Sequence, residues 1–425
     1  MRNTREIAVD ILLQVEEGGF LKDLLEEKGS SLFDERDYNL LHEIVHGVIQ
    51  EENYLDYYIC QTSKLPFRKI HKPILIILRM SLYQLLFLDR IPQRAAIYEG
   101  VELAKQYGNR GSIAFVNGML RKMSRSKILR EEIKGSTPAE TLGLQYSHPT
   151  FFVEDMIEQI GEEETKKLLI ANNKRPPTYV RVNTNLYSRE EFLKRVVSMG
   201  HGKKTSLSNY AVEIQNLNAI LNSPLFEHGG FYVQDLGSIK VAEHLQPKPG
   251  DRILDVCASP GGKSINLSLL APDSMITSGD LTNEKVKVLK DNIERMKLKN
   301  IKVLKRDGLQ TYPNEIGVYD KILIDAPCSG LGLLRRKPEI RKHRVENDCK
   351  ELSNVQYKLL KNNFPLLKDK GILCYSTCTL TRKENEEVID KFIKNTKNIS
   401  LLDKFIYYPH IHNTDGFKIF LMRKD

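Results

Sequence analysis

From about residue 231 the chain settles into a strand–helix rhythm that few folds can accommodate. RILDVCA leads to NLSLLA, and MITSGD to EKVKVLKDNIERMK. IKVLKRD follows, then DKILIDAPC before a helix around 349–367, and ILCYSTCT before ENEEVIDKFIK; FKIFLMRK closes the chain. Near-continuous apolar strands alternating with amphipathic helices predict a Rossmann-like α/β domain: a doubly wound, mostly parallel sheet with helices on both faces. In such a sheet ligands bind outside the carboxyl ends of the strands. Those ends carry the chemistry here. They hold the turn in DVCASPGGKS (255–264), Asp280, Asp307 in KRDG, Asp325 in ILIDAPCSG and Cys378 in YSTCT. One strand-end aspartate is commonly a cap or turn residue. Four successive strands ending at a glycine-rich turn or an acid predict a site.

The turn Cys257, Ala258, Ser259, Pro260, Gly261, Gly262, Lys263 joins a strand to a helix start. Its glycines let the backbone approach a ligand, and the helix N-terminus favours an anionic group. It is neither G-x-G-x-x-G nor a Walker loop, because Gly261 and Gly262 directly precede Lys263. A nucleotide-like ligand without a pyrophosphate fits that turn; a plain strand-to-helix connection is the ordinary alternative. Asp280, 25 residues after Asp255, stands where a Rossmann-like site grips ribose hydroxyls. Asp307 is expected near an adenine edge. Pro327 cannot donate to a ladder, so it stops the fourth strand and leaves Asp325 and Cys328 on the rim.

At 425 residues the chain exceeds one ordinary core. Its 64 Lys and Arg against 55 acidic residues give +9, an excess that suits a polyanionic partner. The start, MRNTREIAVDILLQVEE, has no signal-peptide pattern, and ILIIL at 74–78 is broken by Arg79, too short for a membrane span. Six cysteines without a C-x-x-C pair make neither a disulfide scaffold nor an expected zinc site. A cytoplasmic protein with reduced thiols, no membrane association and no metal is expected.

Residues 1–128 carry helical periodicity almost throughout, as in REIAVDILLQVEE, where Ile7, Ile11, Leu12 and Val15 share a face, and predict an all-α domain. His42 and His46 have a metal-compatible spacing, but without HExxH or a third ligand they read as ordinary helix residues. Residues 129–150 read as a linker. Residues 151–230 predict a small α+β connecting subdomain, and residues 231–425 the doubly wound domain. In the subdomain, FFVEDMIEQIGEEETKKLLIANN is a helical pattern and SREEFLKRVVSMG a helix capped by Ser188. Its basic cluster Lys174, Arg175 and Arg181 could touch phosphate or line a solvated edge.

Together, DVCASPGGKS, LIDAPCSGLG, RRKPEI and YSTCT resemble the S-adenosylmethionine-dependent RNA cytosine-C5 methyltransferases of the RsmB/NOP family. VQDLGS (233–238), RVNT (181–184) and DGFKIF (415–420) extend the match, while LLHEIVHGVI, LRMSLYQLLFLDRIP and FVNGML resemble a NusB-like RNA-binding domain. This combination spans essentially the whole chain and points to the branch acting on bacterial 16S rRNA. Two residues depart from the pattern: Ser259, where relatives usually have alanine, and Lys418, where an aromatic is common after DGF.

The resemblance implies S-adenosylmethionine held by residues 257–263, Asp280, Asp307 and Asp325, with 16S rRNA as partner and a monomeric protein. C5 of cytosine is a poor nucleophile until a thiolate adds to C6, which makes the chemistry covalent catalysis. A carboxyl near N3 assists, and Asp325 is the candidate. Chemistry alone does not choose between Cys328 and Cys378. DNA cytosine-C5 methyltransferases use the Pro-Cys cysteine, but in the RNA family the cysteine of the T-C motif attacks. The resemblance therefore assigns attack to Cys378 and assisted release to Cys328. Cys257 and Cys374 read as packing residues, and Cys60 and Cys349 as structural. The same chemistry on tRNA and a non-catalytic RNA-binding or ribosome-assembly factor are the alternatives. Both cysteine motifs beside an intact PGGK turn count against the second. RRKPEIRKHR is expected near the target base.

Overall fold

The computed structural model describes residues 3–29, 34–126, 128–199 and 201–425. Met1, Arg2, residues 30–33, Lys127 and Gly200, the last residue of the expected Ser188-capped helix, lie outside it. The chain divides into two compact units, Met1–Asn173 with Arg336–Val345, and Lys174–Arg335 with Glu346–Asp425.

The first unit is helical. Thr4–Glu16 starts at a capping box in which the Asn3 side chain accepts from Arg5 and Glu6 backbone N–H groups. Its face of Ile7, Ile11, Leu12 and Val15 packs with buried residues of Glu35–Gln50 and Lys72–Phe87 into one core. His42 and His46 stack on one another at 5.6 Å between ring centroids. Residues 129–150, expected as a linker, instead contain the helix Pro138–Tyr146 and pack on this body. The Arg130 guanidinium lies 4.3 Å from the Tyr54 ring centroid and 2.8 Å from Glu51. The following helical stretch breaks at Gly161, whose φ of +80° ends Thr150–Ile160 before Glu162–Asn172 begins. Both helices belong to this unit.

Residues 336–345 also belong to it. Arg341 donates to the carbonyl oxygens of Gln50 (2.8 Å), Ser147 (2.9 Å) and Asn172 (3.1 Å) and to Asn173 Oδ1 (2.7 Å). Lys342 bridges Glu52, at 2.6 Å, and Glu16. Buried Arg79 joins both acids and takes Asp56 at 2.6 Å. Arg341 and Lys342, expected near a target base, are thus engaged by protein oxygens. The basic run satisfies helix-end carbonyls and a half-buried acidic cluster.

The second unit holds two sheets. The first contains β1 (Thr178–Val182), β2 (Gly202–Lys204), β3 (Ala211–Ile214) and β4 (Phe231–Val233) in antiparallel order β2-β3-β1-β4. Ser188 caps Arg189–Ser198 through a capping box with Glu191, and Phe192 packs with Val180, Val182 and Phe231. β4, read from sequence as the start of the catalytic stretch, pairs with β1. Arg181 is fully buried: Nε donates to Asn266 Oδ1 at 2.7 Å, and the guanidinium covers the Tyr210 ring at 4.5 Å. It is a packing residue, whereas Lys174 and Arg175 are exposed.

The second sheet has seven strands. These are β5 (Arg252–Asp255), β6 (Met275–Asp280), β7 (Ile301–Lys305), β8 (Tyr319–Asp325), β9 (Leu367–Thr377), β10 (Ile399–Tyr407) and β11 (Phe417–Lys424). Their order is β10-β11-β9-β8-β5-β6-β7, parallel from β9 to β7 and antiparallel at β11 and β10. The chain runs from β5 outward to β6 and β7, then returns to β8 on the other side of β5. Strand order therefore reverses between β5 and β8, which opens a crevice at their carboxyl ends. No described helix is long and apolar enough to cross a membrane.

Candidate active site

The crevice is floored by the turn after β5. Gly261 sits at φ +114°, and a Cβ there would fall 2.9 Å from Leu289 Cδ1. A Cβ on Gly262 would fall 2.9 Å from the Tyr232 ring. The glycines thus bring the backbone close to its neighbours and leave an open cleft of about 140 Å³. Cys257, Ala258, Ser259, Pro260, Gly262, Lys263 and Asp325 line it with Tyr232, Val233, Gln234 and Ser238. Two buried acceptors at or beside this cleft have no partner: Gln234 Oε1 and Asp255 Oδ1. The other Asp255 oxygen accepts from Ser264 Oγ at 2.6 Å, and burial pushes its carboxyl up to about 7. A glycine cradle with unfilled acceptors suits a polar, nucleoside-sized ligand bearing a cationic group.

Asp280 is buried at the end of β6. One oxygen accepts from Ser259 N at 2.9 Å and the other from Leu281 N at 2.8 Å, so the carboxylate also pins the turn. Asp307, after β7, accepts from Leu309 N at 2.9 Å. Neither is among the residues that line the cleft.

At the other rim Asp325 accepts from Lys263 Nζ at 2.6 Å and from Ser376 Oγ at 2.7 Å. Burial pulls the Lys263 ammonium down, but Asp325 outweighs it and the net shift is upward. The Lys263 ammonium also lies 5.2 Å from the centroid of the Phe417 ring. Beside this pair the Cys328 and Cys378 sulfurs are 3.2 Å apart. β8 and β9 are parallel neighbours, with Asp325 opposite Ser376, and this register brings the ends of ILIDAPCSG and YSTCT together. The contact with Cys378, followed by burial, pushes the Cys328 thiol well above its ordinary range. Burial does the same to Cys257 and Cys374. Cys349 is buried and Cys60 exposed; neither joins the thiol pair.

Several residues here had no assignment from sequence. Ser376 was visible only as part of YSTCT, and Gln234 as part of VQDLGS. Glu384, read as one face of an amphipathic helix, accepts from Ser329 N at 2.8 Å beneath the Pro-Cys turn. The two outlying motifs also meet: Asp235 of VQDLGS accepts from Thr414 Oγ1 (2.5 Å) and from the backbone N–H of Asp415 (3.3 Å), the first residue of DGFKIF. The departure at Lys418 is accommodated. Its fully buried ammonium donates to both Glu386 oxygens, at 2.7 and 2.9 Å.

Comparison with known proteins identifies the family. The family described as 16S rRNA methyltransferase RsmB/F matches residues 242–422. The NusB family matches residues 2–125, and the ferredoxin-like domain of RsmF/B-like methyltransferases matches 148–220. The probable ribosomal RNA small subunit methyltransferase B of Bacillus subtilis is 34% identical over 99% of both chains. The ribosomal RNA small subunit methyltransferase B of Escherichia fergusonii is 32% identical over 95% of this chain and 92% of its own. A methyltransferase homologue from Pyrococcus horikoshii has a solved structure with a TM-score of 0.61 and 28% identity over 69% of this chain and 100% of its own. The solved NSun6 of Pyrococcus horikoshii shares the fold, with a TM-score of 0.59 and 22% identity over 65% of this chain and 98% of its own. The chain belongs to the ribosomal RNA small subunit methyltransferase B family, a Rossmann-like RNA methyltransferase with a NusB-like domain and S-adenosylmethionine as methyl donor.

Proposed function

We propose that the protein methylates C5 of a cytosine in 16S rRNA through a covalent bond between Cys378 and C6 of the base. The observation that carries this reading is the pair of touching thiols, 3.2 Å apart, beside the Asp325–Lys263 pair at the crevice rim. Methylating a ring carbon that lacks nucleophilic character requires a nucleophile, an acid near N3 and a group that helps expel the nucleophile. Cys378, Asp325 and Cys328 fill these roles. Lys263 Nζ donates to one Asp325 oxygen and Ser376 Oγ to the other, which leaves lone pairs for a proton shared with cytosine N3. Lys263 and Ser376 fix the orientation of that carboxyl. The base must leave its stack to reach the rim.

S-adenosylmethionine, when bound, supplies an electrophilic methyl group. Residues 257–263 and Gln234 would hold it, with Asp280 and Asp307 at the ribose and adenine ends and Asp325 at the reactive end. The RNA is held by phosphate contacts from the NusB-like domain and from exposed Lys174 and Arg175, in a cytoplasmic setting that keeps both thiols reduced. Incubation with 16S rRNA and methyl-labelled S-adenosylmethionine, followed by nucleoside digestion and mass spectrometry, should yield labelled 5-methylcytidine. Label in any other nucleoside overturns the C5 assignment.

A further inference from the structure

Cys328 and Cys378 are free thiols whose sulfurs lie 3.2 Å apart, and among the described residues they are the one pair of cysteine sulfurs in contact. The backbone around them fixes that contact. β8 and β9 are paired up to Asp325 and Ser376, and the two chains stay joined past the strand ends. Ala326 N donates to the Ser376 carbonyl at 2.9 Å, and Gly332 N to the Cys378 carbonyl at 2.9 Å. Between these bonds the Ser329 and Thr379 hydroxyls meet at 3.0 Å. Gly332 admits no side chain at the junction, because a Cβ there would fall 2.1 Å from the Gly416 carbonyl oxygen. Neighbouring strands run about 4.8 Å apart, within the Cα spacing of about 4.4–6.8 Å that a disulfide bridges. The sulfurs have to close by roughly 1.2 Å to reach a bond of about 2.05 Å, a distance on the scale of a small χ1 rotation. Both cysteines are half-buried, within reach of a small solute, whereas Cys349 and Cys374 are buried.

We infer that the pair is a site of reversible oxidation: a peroxide closes a Cys328–Cys378 disulfide that switches methylation off, and a dithiol reductant reopens it. One sulfur attacks a peroxide oxygen, the O–O bond breaks, and water leaves behind a sulfenic acid. The second sulfur attacks that sulfur, the S–O bond breaks and a second water leaves. Two thiols and hydrogen peroxide thus become a disulfide and two waters, and either cysteine can react first. A thiol already in contact captures the sulfenic acid before more peroxide carries it to the irreversible sulfinic acid. A dithiol reverses the bridge by exchange: it becomes a disulfide itself and both cysteines return as thiols. The bridge consumes both sulfurs, so neither can bond to C6 or assist release. The cofactor cleft is spared, since neither cysteine is among the residues that line it. The effect on methylation rests on the proposed catalytic use of both thiols; the bridge itself rests on their contact alone.

The test reads the bridge and the activity separately. Full-length protein is treated with hydrogen peroxide, its remaining thiols are blocked with iodoacetamide before unfolding and again after it, and the chain is digested without reductant. Peptide mass spectrometry should find Cys328 joined to Cys378, two hydrogens lighter than the separate peptides, and dithiothreitol should part them. Methylation of 16S rRNA should fall and return in step with the bridge, while S-adenosylmethionine affinity by calorimetry stays unchanged. In Cys328→Ala the same treatment should carry Cys378 to a sulfinic acid that dithiothreitol does not reverse. Oxidised Cys328 or Cys378 in the unmodified chain with no linked peptide overturns the inference, and so does a link from Cys378 to another cysteine. Thiols that stay reduced while the exposed Cys60 is oxidised overturn it as well. None of these results needs a variant to fold. A complete bridge with methylation intact overturns the switch through a different fault, the proposed catalytic use of the thiols.

Discussion

Arg341→Leu should unfold the helical unit at markedly lower temperature and leave RNA affinity of the folded protein nearly unchanged. The guanidinium makes four shorter hydrogen bonds, to three backbone carbonyls and one side-chain amide oxygen at 2.7 to 3.1 Å, and a longer one to the Tyr146 carbonyl at 3.4 Å. Hydrogen bonds from a charged donor contribute about 1.5–3 kcal/mol each, so a naive sum over four would exceed 6 kcal/mol. That sum is too large. Burial opposes the charge and pulls its pKa down to about 10, and water can re-solvate helix-end carbonyls once the side chain is gone. Removing one partner of a buried charged network costs about 3–5 kcal/mol, which we take as the expected loss. For a unit of this size that is roughly 6–20 °C in melting temperature. Calorimetry and urea unfolding measure it, and Arg341→Lys, with a point charge in place of the fork, should recover less than half. A loss under about 1 kcal/mol, with a large drop in rRNA affinity, would refute the reasoning: Arg341 would then be free to meet RNA.

Stability of the catalytic unit should fall as pH rises from about 4 to about 7. The Asp255 carboxyl is lifted by burial to about 7, whereas an unfolded aspartate titrates near about 3.9. Across that window the unfolded chain releases a proton that the folded chain keeps, so folding loses up to about 4 kcal/mol. Asp255→Asn should flatten this slope in urea titrations, and an identical slope in the variant would remove Asp255 as its source. Lys418→Met should destabilise by about 2–4 kcal/mol, because among the described residues Glu386 then keeps Lys404 alone as cation, at 2.6 Å. The double variant Lys418→Met, Glu386→Leu should regain most of the loss in urea unfolding; no recovery would mean that Lys418 acts through packing rather than charge.

In the catalytic sheet β5, β6 and β8 were legible because they are largely buried and read as apolar runs that end at Asp255, Asp280 and Asp325. β10 was not legible: Leu401 and Leu402 are exposed on an edge strand, and ISLLDKFIY has neither continuous apolar character nor clean alternation. β4 lies where the sequence reading begins the catalytic stretch; its three residues carry no partner information, and only register with β1 places them in the four-stranded sheet. Charge was the least reliable signal. Arg181 and Arg341 stand in basic runs that look solvated, yet Tyr210 and Asn266 enclose one and helix-end carbonyls the other. At the site, sequence order named the cysteines, Asp325 and the PGGK turn because motifs carry them. Glu384 escaped because a carboxylate in an amphipathic helical pattern looks like a surface residue until the fold puts it under Ser329.

The central claim, attack by Cys378 with release assisted by Cys328, is tested most directly by trapping the adduct. Cys378→Ala and Cys328→Ala proteins are incubated with labelled 16S rRNA and S-adenosylmethionine and run on a denaturing gel. Cys328→Ala should give a slower band carrying labelled RNA, because the C6–sulfur bond forms and is not broken. Cys378→Ala should give no such band and no 5-methylcytidine. The reverse pattern, with the band from Cys378→Ala and none from Cys328→Ala, would place the nucleophile in ILIDAPCSG and contradict the account.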